Sequence, residues 1–166
     1  MDGLLNLTKM SFNTDSKQEI DFEKIVYDCI SSYKFLDNYN SVEFKIKVQS
    51  KINFNAEWAL VNTIIQNLIE NGIKYARIEN NKPEIDIDIT RDENHIFINV
   101  KDNGIGMTED TQSKIFKMFF RANRKIQGTG LGLHILNRAI EKLEGNVKLE
   151  SKLGVGSKFT VTLPIH

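Results

Sequence analysis

The sequence predicts a single domain of the α/β (α+β) class, with about five strands and three helices. Three segments repeat apolar residues with the period of an amphipathic helix. About five shorter segments alternate apolar and polar residues, as half-exposed strands do. With 166 residues, of which 40% are hydrophobic, the chain is long enough for one domain with a substantial core.

Composition argues against several classes of function. Acidic and basic residues number 22 each, so no overall charge favours nucleic acid or an anionic membrane as a partner. No apolar run reaches the roughly 18 residues of a membrane span, and no signal peptide is visible. The lone Cys29 cannot form an internal disulfide, and His95, His134 and His166 lack the spacing of zinc ligands. These features predict a reduced, cytoplasmic setting without direct membrane contact.

The first helix is predicted to begin after Asp21, a suitable N-cap that follows a polar stretch over residues 11–19. Its apolar positions recur at helical spacing. They are Phe22, Ile25, Val26, Cys29, Ile30 and Tyr33. This pattern places Cys29 on the buried face, where a packing role is favoured over a reactive one. The alternation of Val42, Phe44, Ile46 and Val48 then predicts a half-exposed strand.

The longest helix is predicted over residues 57–76. Its buried stripe is expected to contain Trp58, Val61, Ile65, Leu68 and Ile69. On its polar face, Asn67, Asn71 and Lys74 are spaced so that they lie within about 60° of one another, at about 100° per residue. Two amides and an amine therefore converge. A solvated helix face is the alternative interpretation.

Two alternating strands follow, and the second ends in a carboxylate. Ile85, Ile87 and Ile89 mark the first strand; Ile96, Ile98 and Val100 mark the second, which places Asp102 at the rim of the sheet. A carboxylate there can accept a hydrogen bond from an amine. Gly104 and Gly106 allow a ligand to approach the backbone closely.

An Asn-Gly hairpin is the alternative at this point of the chain. It is disfavoured because no second alternating strand follows directly. Instead, Thr108 is a suitable N-cap, with Glu109 and Asp110 in a first helical turn.

A second glycine cluster opens the last predicted helix, whose apolar face is Leu133, Leu136, Ile140 and Leu143. The cluster consists of Gly128, Thr129, Gly130, Leu131, Gly132 and Leu133. Unsatisfied backbone amides at a helix N-terminus favour a phosphate. The cluster matches neither a P-loop nor a Rossmann fingerprint. Two strands over residues 147–151 and 157–163, joined by a glycine-rich turn, complete the predicted sheet.

Basic residues separate the two glycine clusters. They are Lys114, Lys117, Arg121, Arg124 and Lys125. A solvated loop is one interpretation, and a lid over a nucleotide is the favoured one. The lid is expected over residues 117–127, anchored by Phe119 and Phe120 and poorly ordered without nucleotide.

Five motifs in order resemble the N, G1, F, G2 and G3 boxes of the ATP-binding domain of sensor histidine kinases. They are Asn67 with Asn71, Lys74 and Tyr75; residues 102–107; Phe116 with Phe119 and Phe120; residues 128–133; and residues 154–157. This domain has the Bergerat fold, shared with gyrase-type ATPases and a heat-shock chaperone. The resemblance implies a two-layer sandwich, with a mixed, mostly antiparallel sheet, helices on one side and an ATP lid.

The resemblance also implies ATP and Mg²⁺ as cofactors. Asp102 would bind the adenine amine, Gly104 and Gly106 would let the base lie close, and Tyr75 would pack on its ring. Asn71 would hold Mg²⁺, with Asn67 beside it. Phosphates would be held by Lys74, Arg121 and amides near Gly130 and Gly132, and the implied catalytic residues are Asn67, Lys74 and Arg121. Further nucleotide contacts are implied for Phe116, Gly128, Thr129, Leu131 and Leu133.

Two departures from the family pattern refine this expectation. ATPases of the superfamily carry a water-activating glutamate four residues before the metal-binding asparagine, where this chain has Asn67. That difference favours a kinase; Glu70 is displaced about 100° around the helix from Asn71 and is a poor candidate base. The family's phosphate-accepting histidine precedes an acidic residue, a context that none of the three histidines has.

The expected function is therefore transfer of the ATP γ-phosphoryl group to a histidine on a separate dimerisation domain. Residues 1–12 are expected to be a remnant of that domain, and residues 13–166 the ATP-binding catalytic domain. The expected partners are the histidine-bearing domain and a response regulator. The parent protein is expected to be a homodimer, and a membrane anchor on that parent is compatible with this expectation. A nucleotide-binding pseudokinase and an anti-sigma-type serine kinase remain as alternatives.

Overall fold

A five-stranded sheet with three longer helices forms the body of the protein. The computed structural model describes residues 16–77, 82–122 and 128–166. The strands are β1 (Gln18–Glu19), β2 (Glu43–Val48), β3 (Asn55–Ala56), β4 (Glu84–Arg91), β5 (His95–Asp102), β6 (Asn146–Lys152) and β7 (Gly156–Pro164). The helices are α1 (Phe22–Ser32), α2 (Trp58–Lys74), the short α3 (Glu109–Gln112) and α4 (Gly132–Lys142), with a 3₁₀ turn at Tyr39–Ser41.

The main sheet is mixed and mostly antiparallel, with the order β2-β4-β5-β7-β6. Only the β2–β4 pair in this sheet is parallel. The strands β1 and β3 form a separate two-stranded ribbon. Asp102 is the last residue of the central strand β5, between Ile85 on β4 and Ser157 on β7. The register therefore places its carboxylate in the middle of one end of the sheet.

Alternating isoleucines explain why the helices pack on one face of this sheet. Ile85, Ile87 and Ile89 on β4 are at most 1% exposed, while the residues between them are half-buried. The same alternation holds along β5, and α2 contacts both α1 and α4 over the shared core. The predicted fold class, with its mixed sheet and three helices, is confirmed.

The first helix forms as its periodicity predicts. Asp21 is the N-cap, and its carboxylate accepts the Lys24 backbone N–H at 2.9 Å. Cys29 is buried, and burial raises the pKa of its thiol to about 12. A thiol that stays protonated is a poor nucleophile, so the expected packing role is confirmed.

Two sequence-based expectations need correction, and one strand was not predicted. Trp58 was expected in the buried stripe of α2, but it is the first helical residue and is 42% exposed, because the helix end extends beyond the core. Phe119 was expected to anchor the lid, but it is 65% exposed with a φ of 62°, so its side chain is not packed in the core. The polar stretch before α1 contains a strand, β1, which pairs with β3.

Some expectations concern residues outside the described ranges. The proposed helix remnant at residues 1–12 and the lid residues 123–127, including Arg124 and Lys125, belong to this group. Within the described ranges, no helix is long and apolar enough to cross a membrane.

Candidate nucleotide-binding site

A cavity opens at the end of β5 and brings five of the predicted site residues together. It has about 560 Å³ of free space, part of it open to solvent. The five residues are Asn71, Tyr75, Asp102, Gly106 and Leu133; the other lining residues are Ile105, Met107, Ile115, Phe120, Ala122, Ser157 and Phe159. Its walls are mainly apolar, with few polar groups, which is typical of a site for a flat organic ring.

Asp102 provides the cavity with a buried carboxylate. One of its oxygens accepts the Gly104 backbone N–H at 2.8 Å, and the Ser157 backbone N–H also donates to the carboxylate. Burial raises the pKa of Asp102 to about 6, and these two N–H groups oppose the rise. A carboxylate held by backbone donors has a defined direction, so it can select a ligand that offers an N–H group at the right place.

The loop after Asp102, residues 103–107, is fastened on two sides by the backbone. The Ile105 N–H donates to the Tyr75 carbonyl at 3.1 Å, and the Ile105 carbonyl accepts the Gly154 N–H at 2.7 Å. Arg77 adds a third connection, because its Nη1 donates to the Gly154 carbonyl at 3.0 Å. The end of α2, the loop and the tip of the β6–β7 hairpin therefore form one unit beneath the cavity.

Gly106 and Gly130 adopt positive φ angles near the cavity and leave no room for a side chain. Gly106 has a φ of 65°, and a Cβ atom there would lie 1.9 Å from the Lys152 carbonyl oxygen. Gly130 has a φ of 73°, and its Cβ would lie 2.8 Å from the Phe120 carbonyl oxygen. Larger residues would be strained in backbone conformation and would collide with backbone atoms. Gly106 was predicted from the approach of a ligand, and the structure adds a packing reason from β6.

The polar face of α2 points towards the cavity and α4. Asn71 lines the cavity, and its buried amide nitrogen has no hydrogen-bond partner in the structure. The Asn67 amide nitrogen donates to the Thr63 carbonyl at 2.8 Å, while its oxygen lies 2.6 Å from where a Cβ on Gly132 would be. Lys74 forms an ion pair with Glu70. Among the described residues, the carboxamide of Asn71 therefore has polar capacity left for a ligand in the cavity.

The second glycine cluster meets the cavity at the start of α4. The helix begins at Gly132, and its N-cap residue, Leu131, makes no side-chain capping bond. Thr129 Oγ1 accepts the Leu131 N–H at 3.3 Å, and Gly128 lies in open space. An uncapped helix start retains backbone N–H groups for an anion.

The segment that leads into the predicted lid is partly anchored. The Phe116 carbonyl lies 3.2 Å from His134 Nδ1 on α4, and Phe120 lines the cavity.

Burial raises the pKa of Tyr75, and the charge of Arg121 opposes that rise. Arg121 thus lies close enough to the Tyr75 hydroxyl to influence it, although it does not line the cavity.

Several residues of the cavity were absent from the sequence-based set. Ser157 holds the Asp102 carboxylate, although it was predicted only as part of the motif at residues 154–157. Ile105, Met107 and Phe159 provide apolar walls. A signal for Ile105 and Met107 was present, since they flank Gly106; Phe159 resembled an ordinary core residue of a strand.

Comparison with known proteins identifies the family of this fold. Residues 58–166 match the histidine kinase-, DNA gyrase B- and HSP90-like ATPases. The chain belongs to this family. It is an ATP-binding catalytic domain of the sensor histidine kinase type.

Individual relatives agree with this assignment. The chain is similar to the sensor histidine kinase RppB of Synechocystis, at 42% identity over 61% of this chain and 23% of the relative. It is also similar to the sensor-like histidine kinase SenX3 of Mycolicibacterium smegmatis, at 30% identity over 87% of this chain and 38% of the relative. The chain thus spans well under half of either protein.

A solved structure supports the same fold. The mycobacterial sensor histidine kinase MprB superimposes with a TM-score of 0.77 at 17% identity, covering 90% of this chain and 98% of that one.

The raised pKa of Asp102 predicts a pH-dependent binding site in this ATP-binding domain. A ¹³C NMR titration of the Asp102 carboxyl should give a midpoint of about 6 in the empty protein. Saturating ADP should lower that midpoint, because an adenine N–H donates to the ionised form and not to the protonated one. By linkage, ADP affinity should fall as the pH drops through about 6. A midpoint that ADP leaves unchanged would contradict contact between Asp102 and the base.

Proposed function

We propose that this chain transfers the γ-phosphoryl group of Mg-ATP to a histidine on a separate dimerisation domain of its parent kinase. The observation that carries the proposal is the combination of the buried Asp102 carboxylate with Asn71 in one apolar cavity, beside an uncapped helix start. The first two features suit the base and the metal end of a nucleotide, and the third suits its phosphates.

At the base end of the cavity, the Asp102 carboxylate accepts a hydrogen bond from the adenine amine, and Tyr75 packs against the adenine ring. Gly104 and Gly106 shape the loop along its edge. Gly104 has no room for a side chain, because a Cβ there would overlap the Tyr75 carbonyl oxygen at 2.4 Å. The loop is thus held near the end of α2. The base would lie between the backbone of this loop and the Tyr75 ring.

At the phosphate end, Asn71 holds Mg²⁺ through its amide oxygen, and Asn67 lies on the same helix face. The Asn71 carboxamide suits this role, since it lines the cavity and none of the described residues bonds its buried nitrogen, so that hydrogen bonding through this nitrogen does not fix its orientation. Among the described residues, no cluster of His, Cys, Asp or Glu could hold a metal alone. Mg²⁺ often binds through one or two protein ligands together with substrate phosphates, whose charge it neutralises.

The remaining positively charged groups and amides contact the phosphates. Lys74 exchanges its ion pair with Glu70 for a phosphate, and Arg121 approaches from the cavity rim beside Tyr75. Backbone amides near Gly130 and Gly132 also hold the phosphates. Further nucleotide contacts come from Phe116, Gly128, Thr129, Leu131 and Leu133. Phosphoryl transfer needs positioning and charge stabilisation more than a protein nucleophile, which suits these residues.

The acceptor comes from outside this chain. Among the residues that the structure describes, no histidine lines the cavity. His134 is engaged with the Phe116 carbonyl, and His95 lies beside Asp92. We therefore assign the acceptor to the histidine-bearing domain of a homodimeric parent protein, which passes the phosphoryl group to a response regulator. Any membrane anchor would belong to that parent.

The transfer reaction tests the proposal. The chain is incubated with γ-labelled ATP, Mg²⁺ and the parent's histidine-bearing domain. Label should appear on that domain in an acid-labile, base-stable form, and omission of Mg²⁺ should abolish it. The isolated chain should remain unlabelled.

Other outcomes separate the alternatives. ATP binding without any transfer would indicate a regulatory pseudokinase. An acid-stable product on a protein substrate would indicate a serine kinase of the anti-sigma type. Label on the isolated chain would show that the acceptor has been misplaced.

A further inference from the structure

In the described part of the chain, a side chain binds one carbonyl of the loop at residues 103–107. Along this loop, Ile105 is bound through backbone groups of residues 75 and 154. The Met107 carbonyl instead accepts Gln112 Nε2 at 3.2 Å. Gln112 is the last residue of α3, the short helix that follows the loop. Its bond therefore turns back onto the loop that lines the cavity.

The same nitrogen of Gln112 makes a second bond across the fold. It donates to the Ser151 carbonyl on β6 at 2.9 Å. β6 is an edge strand of the main sheet, so one side of its backbone has no neighbouring strand. One amide group therefore joins the loop to the sheet edge, across 39 residues of sequence.

This bridge continues a contact already made by the neighbouring residue. Gly106 packs so closely against the Lys152 carbonyl that a Cβ would overlap it. Gly106 therefore lies against Lys152, and Gln112 joins Met107 to Ser151, the next residue along each segment. Gly106 has no side chain with which to hold this arrangement, whereas Gln112 supplies two directional bonds one residue further along. Both Gly106 and Met107 line the cavity.

We propose that Gln112 is a positioning residue for the nucleotide, which clamps the loop at residues 103–107 against β6 and so preforms the adenine side of the cavity. This inference rests on the proposed function of the cavity. Gln112 does not line the cavity and acts through the loop. Its effect should be the same for ADP and ATP, because the loop lies at the base end and not at the γ-phosphate.

Three substitutions separate a clamp from simple packing. Gln112→Ala removes both hydrogen bonds and should weaken ADP binding by about three- to thirty-fold, the scale expected for two hydrogen bonds. Gln112→Glu keeps the shape, but its carboxylate faces two carbonyl oxygens, so it should weaken binding more. Gln112→Lys retains N–H donors within reach of both carbonyls and should restore much of the affinity. Ser113→Ala, which removes only a local bond to Asp110, is the matched control.

The experiment combines ADP calorimetry with hydrogen exchange of the empty proteins. In the Gln112→Ala and Gln112→Glu variants, the amides of residues 105–107 should exchange faster while the β5 core amides remain protected. The Ser113→Ala protein should match the wild type. The comparison of Gln112→Glu with Gln112→Lys does not depend on the alanine variant folding.

Three outcomes would count against the clamp. Equal ADP affinities and equal exchange across the series would overturn it while leaving the nucleotide site intact. A Gln112→Lys protein that binds ADP no better than Gln112→Glu would also overturn it, since packing alone would then explain the losses. A wild-type chain that binds neither ADP nor ATP would overturn the proposed function together with this inference.

Discussion

Replacing Asp102 with asparagine is expected to weaken ADP and ATP binding by roughly 10- to 150-fold while leaving the fold intact. The scale is that of a hydrogen bond to a charged group, about 1.5 to 3 kcal/mol. One carboxylate oxygen already accepts the Gly104 N–H. An asparagine would keep its oxygen for that bond and place its NH₂ group opposite the adenine amine, so that two donors face each other. Calorimetry with ADP measures the loss.

The same variant should not be less stable than the wild type at pH 8. Burial raises the pKa of Asp102 above its usual 3.8, so the folded protein carries a cost for ionising this group above about pH 6. That cost is relieved as the pH falls from 6 towards 4, and the wild type should gain stability relative to the variant over this window. Urea unfolding at several pH values tests the trend.

A matched control is available on the neighbouring strand. Asp88→Asn changes a half-buried carboxylate on the outward face of β4, away from the cavity. It should leave ADP affinity unchanged. If Asp102→Asn also bound ADP like the wild type, the assignment of the base end of the cavity would be wrong.

The second large effect concerns hydrolysis. The chain should hydrolyse Mg-ATP about 10²- to 10⁴-fold more slowly than ATPases of the same superfamily that carry a glutamate at the position of Asn67, which is the usual contribution of general-base catalysis. An amide cannot take a proton from water at neutral pH. The Asn67 amide is also engaged with the Thr63 carbonyl. Phosphate release under saturating Mg-ATP measures the rate.

Glu70 is the alternative base that this experiment must address. Its carboxylate forms an ion pair with Lys74 and accepts a hydrogen bond from the Tyr33 hydroxyl at 3.3 Å. Glu70 lies about 100° around the helix from Asn71, and its bond to the Tyr33 hydroxyl remains when Lys74 moves to a phosphate. Glu70→Gln should therefore not slow the residual hydrolysis. The Asp102→Asn protein, assayed at an Mg-ATP concentration that saturates the wild type but not this variant, corrects for contaminating ATPases. A wild-type rate comparable to that of the glutamate-bearing enzymes, or a residual rate that depends on Glu70, would refute the kinase-type interpretation of the α2 polar face.

The spacing of apolar residues predicted the longer helices and strands, because burying one face of a helix or strand requires apolar residues at that spacing. Helix α1 and strands β4 and β5 each place their apolar residues on one face, and the structure buries those faces. The end of β5 was predictable for the same reason, since the alternation stops at Asp102. Trp58 was mispredicted because periodicity shows which face of a helix is apolar, but not how far the helix extends beyond the core that covers it.

The sequence by itself determined the class of fold, the order of its longer helices and strands, and the carboxylate and glycines around which a nucleotide site is built. These features depend on neighbours within a few residues, and their physical causes are helical or strand period and backbone freedom. Only the tertiary structure decided how the site is held. The Ser157 N–H on Asp102, the Lys152 carbonyl against Gly106 and the Gln112 bridge to Ser151 each join residues that are far apart in the chain. Such contacts depend on strand order and hairpin register, which the arrangement of the whole sheet establishes.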